Sequence, residues 1–185
     1  MIYLDNAATT KPSKAAVDAM IKAAECFGNP SSLHGLGIEA EKLINESKKN
    51  IADMLGVESK NILFTSGGTE ANNLAVFGVA AARNKIGTKI VTSKIEHPSV
   101  LEAFRKLEID GFNVEYLDVD SEGRVDLDML RNVLDDETIL ISVMHVNNET
   151  GVIQPIEEIR EIMLEKAPYA HLHTDCVQSF GKIDV

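Results

Sequence analysis

The sequence has no long hydrophobic run, no cluster of basic residues and only two cysteines. A membrane helix needs about 20 consecutive apolar residues, and no run approaches that length. The N-terminus shows no basic stretch followed by an apolar one, so we expect no secretory signal peptide. Cys26 and Cys176 lie far apart and form no CxxC pair, which argues against a disulfide scaffold. These absences predict a soluble, cytoplasmic protein.

The charge balance is strongly acidic. Lys and Arg number 18 and Asp and Glu number 29, which gives a net charge of −11. Such a chain repels phosphate backbones and anionic lipids, so we expect neither nucleic-acid nor membrane partners. An anionic small molecule can still bind, because backbone N–H groups hold phosphate locally whatever the net charge.

Short β-like runs alternate with helical patterns along most of the chain. Apolar residues at helical spacing separate the runs, for example at Leu74, Ala75, Gly78, Val79 and Ala82. This alternation predicts an α/β fold with a mostly parallel sheet and helices on both faces. The β-like runs are Asn61–Thr65, Thr88–Thr92, Asn113–Val119, Thr138–Val146 and Ala170–Thr174.

The first sixty residues follow a different pattern. Ser13 is placed to cap a helix that runs to about Cys26, and apolar spacing predicts a longer helix from about Gly37 to Leu55. We therefore predict an N-terminal helical arm over residues 1–60 and a sheet domain over residues 61–185. The arm packs either on its own subunit or on a partner.

Candidate ligand-binding residues follow the predicted strands. In an open α/β sheet, ligands bind beyond the carboxyl ends of the strands. The turn at 65–70 places Gly67, Gly68 and two hydroxyls at a helix start, where free N–H groups favour an anion. At other strand ends, His97 is placed to stack on a planar ligand and Asp175 to keep a ring nitrogen protonated. Two adjacent amides, at 147 and 148, follow the fourth run.

Each of these patterns has a simpler explanation when it is taken alone. The glycine turn could be a capped turn, His97 an exposed loop residue, and the two asparagines a polar turn. His171, His173, Asp175 and Cys176 could form a metal cluster, but in a strand Asp175 and Cys176 point to opposite faces, so we expect no metal. Together, a phosphate cradle, an imidazole, amides and a carboxylate are what a phosphorylated aromatic cofactor such as pyridoxal 5'-phosphate (PLP) requires.

Six sequence segments also occur in a characteristic order. They are Tyr3–Thr10, Asn29–His34, Thr65–Asn73, Glu96-His97, His145–Gly151 and His173–Ser179. In this order the chain resembles NifS/IscS-type cysteine desulfurases, which are class V aminotransferases with the fold-type-I PLP architecture. The resemblance implies that residues 61–185 are an incomplete PLP-binding large domain.

The resemblance implies roles for single residues around the cofactor. Gly68 and Thr69 would hold the PLP phosphate. His97 would stack on the pyridine ring and act in catalysis. Asp175 would pair with the pyridine nitrogen and keep it protonated.

A second group of implied roles concerns the substrate, L-cysteine. Asn148 and Gln178 would contact the substrate and the region of the ring around its phenolic oxygen. Asn6, Ala7 and the loop Asn29–His34 would line the substrate entrance. In the family, cysteine forms a Schiff base with PLP, and a mobile cysteine of the enzyme takes its sulfur. The products are alanine and an enzyme persulfide, which feeds iron–sulfur cluster assembly or thio-modification through an acceptor or scaffold protein.

Several parts of the family pattern have no counterpart in these 185 residues. The Schiff-base lysine belongs to a Ser-x-His-Lys segment beyond the Asp-x-x-Gln motif, and Lys182 matches a different family position. Neither Cys26 nor Cys176 matches the nucleophile, and the C-terminal small domain has no counterpart. We therefore expect the chain to be a fragment that is inactive alone, from a parent that forms a homodimer.

Other functions stay open on the sequence alone. The chain could be a non-catalytic scaffold or binding partner with the PLP fold, or another class V enzyme such as a selenocysteine lyase. A small phosphate-ester binder or hydrolase ranks last, because no carboxylate pair or nucleophile lies near Gly67 and Gly68.

Overall fold

The computed structural model describes residues 2–183, which fall into two compact units. Unit 1 is Met1–Phe64 and unit 2 is Thr65–Val185. Residues 1, 184 and 185, at the outer ends of the two predicted domains, lie outside the described residues. The domain limits at residues 60 and 61 stay a prediction.

Unit 1 contains two α-helices and one turn of 3₁₀ helix. Helix α1 (Lys14–Glu25) begins at Ser13, whose hydroxyl accepts a hydrogen bond from the first turn. Helix α2 (Gly35–Leu55) ends at Gly56, whose φ of 65° is a left-handed conformation that suits glycine. The 3₁₀ turn is Ser59–Asn61. The helices predicted for this part of the chain are therefore present.

Unit 2 alternates helices and strands, which confirms the predicted α/β fold. Among the described residues, no helix combines the length and apolarity that crossing a bilayer requires. The elements are α3 (Gly68–Arg83), β1 (Lys89–Ser93), α4 (Pro98–Ile109), β2 (Asn113–Leu117), α5 (Leu127–Val133), β3 (Thr138–Ser142), α6 (Ile156–Lys166) and β4 (His171–His173).

The four strands form one parallel sheet in the order β2-β1-β3-β4. Every residue of β3 is buried, as expected for a strand covered on both faces. Successive side chains of β1 enter different cores: Ile90 packs with residues of α3 and α4, and Val91 packs with residues of α5 and α6. Helices therefore cover both faces of the sheet, as predicted.

The strand order creates a crevice between β1 and β3. These strands are neighbours, but the helix after β1 covers one face of the sheet and the helix after β3 covers the other. Where neighbouring strands send their connections to opposite faces, the carboxyl ends of the strands leave an open crevice. The residues that follow β1 and β3 therefore line the place where an α/β sheet binds its ligand.

Two sequence predictions are wrong in detail. Asn61–Thr65 is not a strand, since no described strand lies beside it to complete a ladder. The stripe predicted for α3 is not its buried face, because Leu74 and Gly78 are exposed. The buried face of α3 instead carries Asn72, Val76 and Ala80.

Candidate functional site

The first turn of α3 has the form of an anion-binding turn. The backbone N–H groups of Gly68 and Thr69 donate to no acceptor within the described residues, and they lie at the positive end of a 16-residue helix. Glu70 folds back, so its carboxylate accepts from the N–H and the hydroxyl of Ser66 at 2.6 and 2.5 Å. These bonds, the hydroxyl first, lower the pKa of Glu70.

Gly68 also allows a close approach between α3 and the segment after β4. A Cβ atom at Gly68 would lie 2.9 Å from Cγ2 of Val177. Val177 comes two residues after Asp175, and its N–H donates to Asp175 Oδ1 at 2.9 Å. The helix start and the carboxylate predicted from the sequence therefore belong to one site.

Asp175 is a buried carboxylate without a cationic neighbour. It is 8% exposed, and its other oxygen accepts from Asn72 Nδ2 at 2.8 Å. Within residues 2–183, no Lys or Arg forms an ion pair with it. Burial lowers the pKa of His173, and the negative charge of Asp175 raises it by a smaller amount. The net effect is a lowered pKa, so this imidazole is neutral near pH 7. The carboxylate is thus suited to a cationic ligand atom.

His97 is the N-cap of α4. Its Nδ1 accepts from the N–H of Ser99 at 3.1 Å, and Pro98 fills the first helical position, where no N–H is needed. The imidazole is exposed, and it borders a groove of about 500 Å³ between α3 and α4 together with Thr69 and Phe77. A planar ligand anchored at Thr69 would therefore have His97 within the same groove.

Glu96 joins the ends of β1 and β3 inside the crevice. Its Oε1 accepts from Ser93 Oγ at 2.6 Å and from the N–H of Met144 at 2.8 Å, whereas its buried Oε2 has no partner in the described part of the chain. Burial, and to a smaller extent the charge of Asp175, raises the pKa of Glu96 to about 7. Glu96, the residue before His97, is therefore bonded both to the last residue of β1 and to the segment just after β3.

The two asparagines after β3 differ in their surroundings. Asn147 is buried: its Nδ2 donates to the Ile95 carbonyl at 3.0 Å, and its Oδ1 accepts from the N–H groups of Glu149 and Thr150. Asn148, the asparagine predicted to bind the cofactor and the substrate, is half-buried in the turn that Asn147 stabilises. The role of Asn148 stays a prediction, as does that of Gln178, half-buried in the turn after β4.

The residues predicted to line the substrate entrance belong to unit 1. Asn6 and Ala7 lie in an exposed turn, where Asn6 Nδ2 donates to the Tyr3 carbonyl at 3.5 Å. In the loop Asn29–His34, Asn29 Oδ1 accepts from a backbone N–H at 2.9 Å and His34 Nδ1 caps α2. These local contacts shape the two loops and leave the predicted role untested.

Sequence reasoning missed two polar residues that the structure brings into the site, Asn72 and Ser99. Asn72 Nδ2 contacts both Asp175 and Ser99 Oγ. A signal for Asn72 was available, because it follows Gly68 and Thr69 by one helical turn and so shares their face of the helix. Among the described residues, no three His, Cys, Asp or Glu side chains are grouped as metal ligands.

The chain is similar in sequence to known proteins along its whole length. The aminotransferase class-V profile matches residues 2–185. The cysteine desulfurase IscS of Methanosarcina thermophila is 49% identical over 185 residues, which are 100% of this chain and 45% of that protein. The chain thus spans about half the length of the curated relatives it matches.

Solved structures extend the likeness to the fold. A NifS-like protein has a TM-score of 0.95 and 41% identity, over 98% of this chain and 50% of that one. The structure of SspA in complex with cysteine has a TM-score of 0.91 and 38% identity, over 99% of this chain and 53% of the other. Because the profile covers nearly all of its residues, the chain belongs to the aminotransferase class-V family, among relatives named cysteine desulfurase.

Proposed function

We propose that this chain binds PLP at the ends of β1, β3 and β4. We propose further that it forms part of a cysteine desulfurase, an enzyme that converts L-cysteine to L-alanine and an enzyme persulfide. The observation that carries the proposal is the buried Asp175 carboxylate, which accepts hydrogen bonds only from neutral donors in the described residues. A buried charge requires a partner, and a protonated pyridine nitrogen would supply one. Membership of the class-V family supports the same cofactor.

The other residues of the site fit the remaining parts of PLP. The N–H groups of Gly68 and Thr69 are suited to its phosphate, which a helix start binds without a lysine. His97 would cover one face of the ring, and Asp175 would keep a proton on the ring nitrogen. When bound, PLP supplies an electron-withdrawing ring that stabilises charge at the substrate carbon.

We propose L-cysteine as the substrate because relatives carry the name cysteine desulfurase and the similar SspA structure is in complex with cysteine. Asn148 and Gln178 would contact the substrate beside the ring, with Asn6 and Ala7 at the entrance. The proposed setting is a cytoplasmic homodimer that passes sulfur to an acceptor or scaffold protein for iron–sulfur cluster assembly or thio-modification.

The first prediction concerns cofactor affinity. Replacing both Thr69 and His97 with alanine is expected to weaken reversible PLP binding about 30-fold, since a hydroxyl bond to phosphate and a stacking contact are both lost. The affinity is measured by titrating PLP and following its absorbance.

A matched double variant separates the site from general effects of substitution. Thr88→Ala with His171→Ala also removes one threonine and one histidine side chain. Thr88 lies just before β1 and His171 is the first residue of β4, so both are away from the carboxyl ends of the strands. Its PLP affinity is expected to equal that of the wild type. Equal affinity in the Thr69 and His97 double variant would show that the pocket is wrongly assigned.

The second prediction is that these 185 residues alone do not release sulfur from cysteine. They contain no Ser-x-His-Lys segment, and burial raises the pKa of the half-buried Cys176 thiol, which disfavours the reactive thiolate. Sulfide and alanine are assayed with a full-length cysteine desulfurase as positive control. Cysteine-dependent sulfide from the purified chain would contradict the prediction.

A further inference from the structure

A chain of hydrogen bonds joins the two side chains that the proposed function places against the ring. Asn72 Nδ2 lies 2.8 Å from Asp175 Oδ2 and 2.9 Å from Ser99 Oγ. Ser99 Oγ lies 2.8 Å from His97 Nδ1. Asn72 is 4% exposed, so water competes little for the bonds that it makes.

The Asp175 carboxylate, at one end of this series of hydrogen bonds, determines which atom donates in each bond. A carboxylate only accepts, so the Asn72 amide must turn its NH₂ group towards Asp175. The second hydrogen of that NH₂ group then points to Ser99 Oγ, which has to accept it. The hydroxyl hydrogen of Ser99 is thereby left for His97 Nδ1.

A second donor, the backbone N–H of Ser99, supports the same assignment at the His97 end. The backbone N–H of Ser99 also points at His97 Nδ1, at 3.1 Å, and a peptide N–H cannot accept. Two donors therefore converge on Nδ1, which leaves no room for a proton on that nitrogen. In the neutral imidazole the proton then lies on Nε2.

We infer that Asn72 and Ser99 are positioning residues that couple Asp175 to His97, hold His97 in its Nε2–H tautomer and fix the orientation of the Asp175 carboxylate. The link to the cofactor rests on the proposed function. Nε2, which makes no hydrogen bond among the described residues, is then the ring nitrogen that can donate a proton to a ligand in the groove. Neither Asn72 nor Ser99 has to touch that ligand.

The test reads the tautomer of His97 directly in the protein without cofactor. Histidine is labelled with ¹⁵N, and long-range ¹H–¹⁵N spectra distinguish a protonated from an unprotonated ring nitrogen; His97→Ala identifies the signals. In the wild type we expect Nδ1 unprotonated and Nε2 protonated in the neutral ring. In Ser99→Ala the ratio of the two tautomers is expected to fall about fivefold, the factor that one neutral hydrogen bond contributes. In Asn72→Ala, which frees the Ser99 hydroxyl to accept as well as donate, the ratio is expected to fall by less than in Ser99→Ala.

Two controls make the result specific. Ser99→Thr keeps the hydroxyl and is expected to retain the wild-type spectrum. Asn73→Ala removes the neighbouring amide, which bonds to the carbonyls of Thr69 and Ser99 but not to Asp175 or His97, and should leave the tautomer ratio unchanged.

The possible outcomes separate this inference from the proposed function. Mixed tautomers in the wild type, or an unchanged ratio in a folded Ser99→Ala variant, would overturn the inference. Should Asn72→Ala fail to fold, Ser99→Ala alone still decides, since Ser99 is only half-buried. A protein that shows the expected tautomers but binds no PLP would retain the hydrogen-bond chain and lose the proposed cofactor.

Discussion

Replacing Glu96 with glutamine is expected to remove about 3 kcal/mol of pH dependence from the stability of the protein without cofactor. Burial raises the pKa of Glu96 from 4.5 to about 7 in the folded chain. Below pH 4.5 both states hold the proton, so the contribution of Glu96 to stability is fully present. As the pH rises, the unfolded chain releases the proton first and stability falls, until the folded chain is ionised too, above about pH 7.

The comparison isolates Glu96 because glutamine keeps the side-chain oxygen that accepts from Ser93 and Met144 but cannot ionise. Urea unfolding is measured for both proteins at about pH 5.5 and about pH 8, away from the sequence pI of about 4.9, where solubility is lowest. Over this window the difference between wild type and variant should change by about 2 kcal/mol. Glu161→Gln, at an exposed position of α6, should give no such change, and parallel curves for Glu96→Gln would contradict the prediction.

The general fold could be predicted because its signals are local. Apolar runs of strand length alternate with helical spacing, and this pattern alone requires parallel strands joined by helices. The candidate site is predicted for His97 and Asp175 by a rule about such sheets, since they come after β1 and β4. Gly68 is predicted by a different rule, the free N–H groups of a helix start. Family resemblance then supplied a cofactor that suits these three groups.

The parts of the site that sequence reasoning missed depend on contacts between distant segments. Asn72 was overlooked because apolar periodicity assigns a polar residue to the outer face of a helix, whereas here it is buried against Asp175 and Ser99. The contact between Glu96 and Met144 spans 48 residues and requires the pairing of β1 with β3. Polar residues in a buried helix face are typical of functional sites, where local rules are broken.

Close approaches of the backbone are equally hidden from the sequence, and Gly87 lies at one of them. Gly87 lies between α3 and β1, and a Cβ atom there would be 2.0 Å from the carbonyl oxygen of Glu137, just before β3. That oxygen also accepts from the N–H of Lys89 at the start of β1. Gly87→Ala is therefore expected to destabilise the fold by about 3 kcal/mol, because backbone must move on one side. Urea unfolding measures the loss.

Gly78→Ala is the matched control, with an expected effect of opposite sign. Gly78 lies on α3, and an added Cβ atom there meets nothing within 4 Å. Alanine should stabilise the protein by about 0.5–1 kcal/mol, because it restricts the unfolded chain and favours the helix. If Gly87→Ala were also neutral or stabilising, the turn before β1 could not lie against Glu137, and the β1–β3 pairing that brings Glu96 to Met144 would have to be revised.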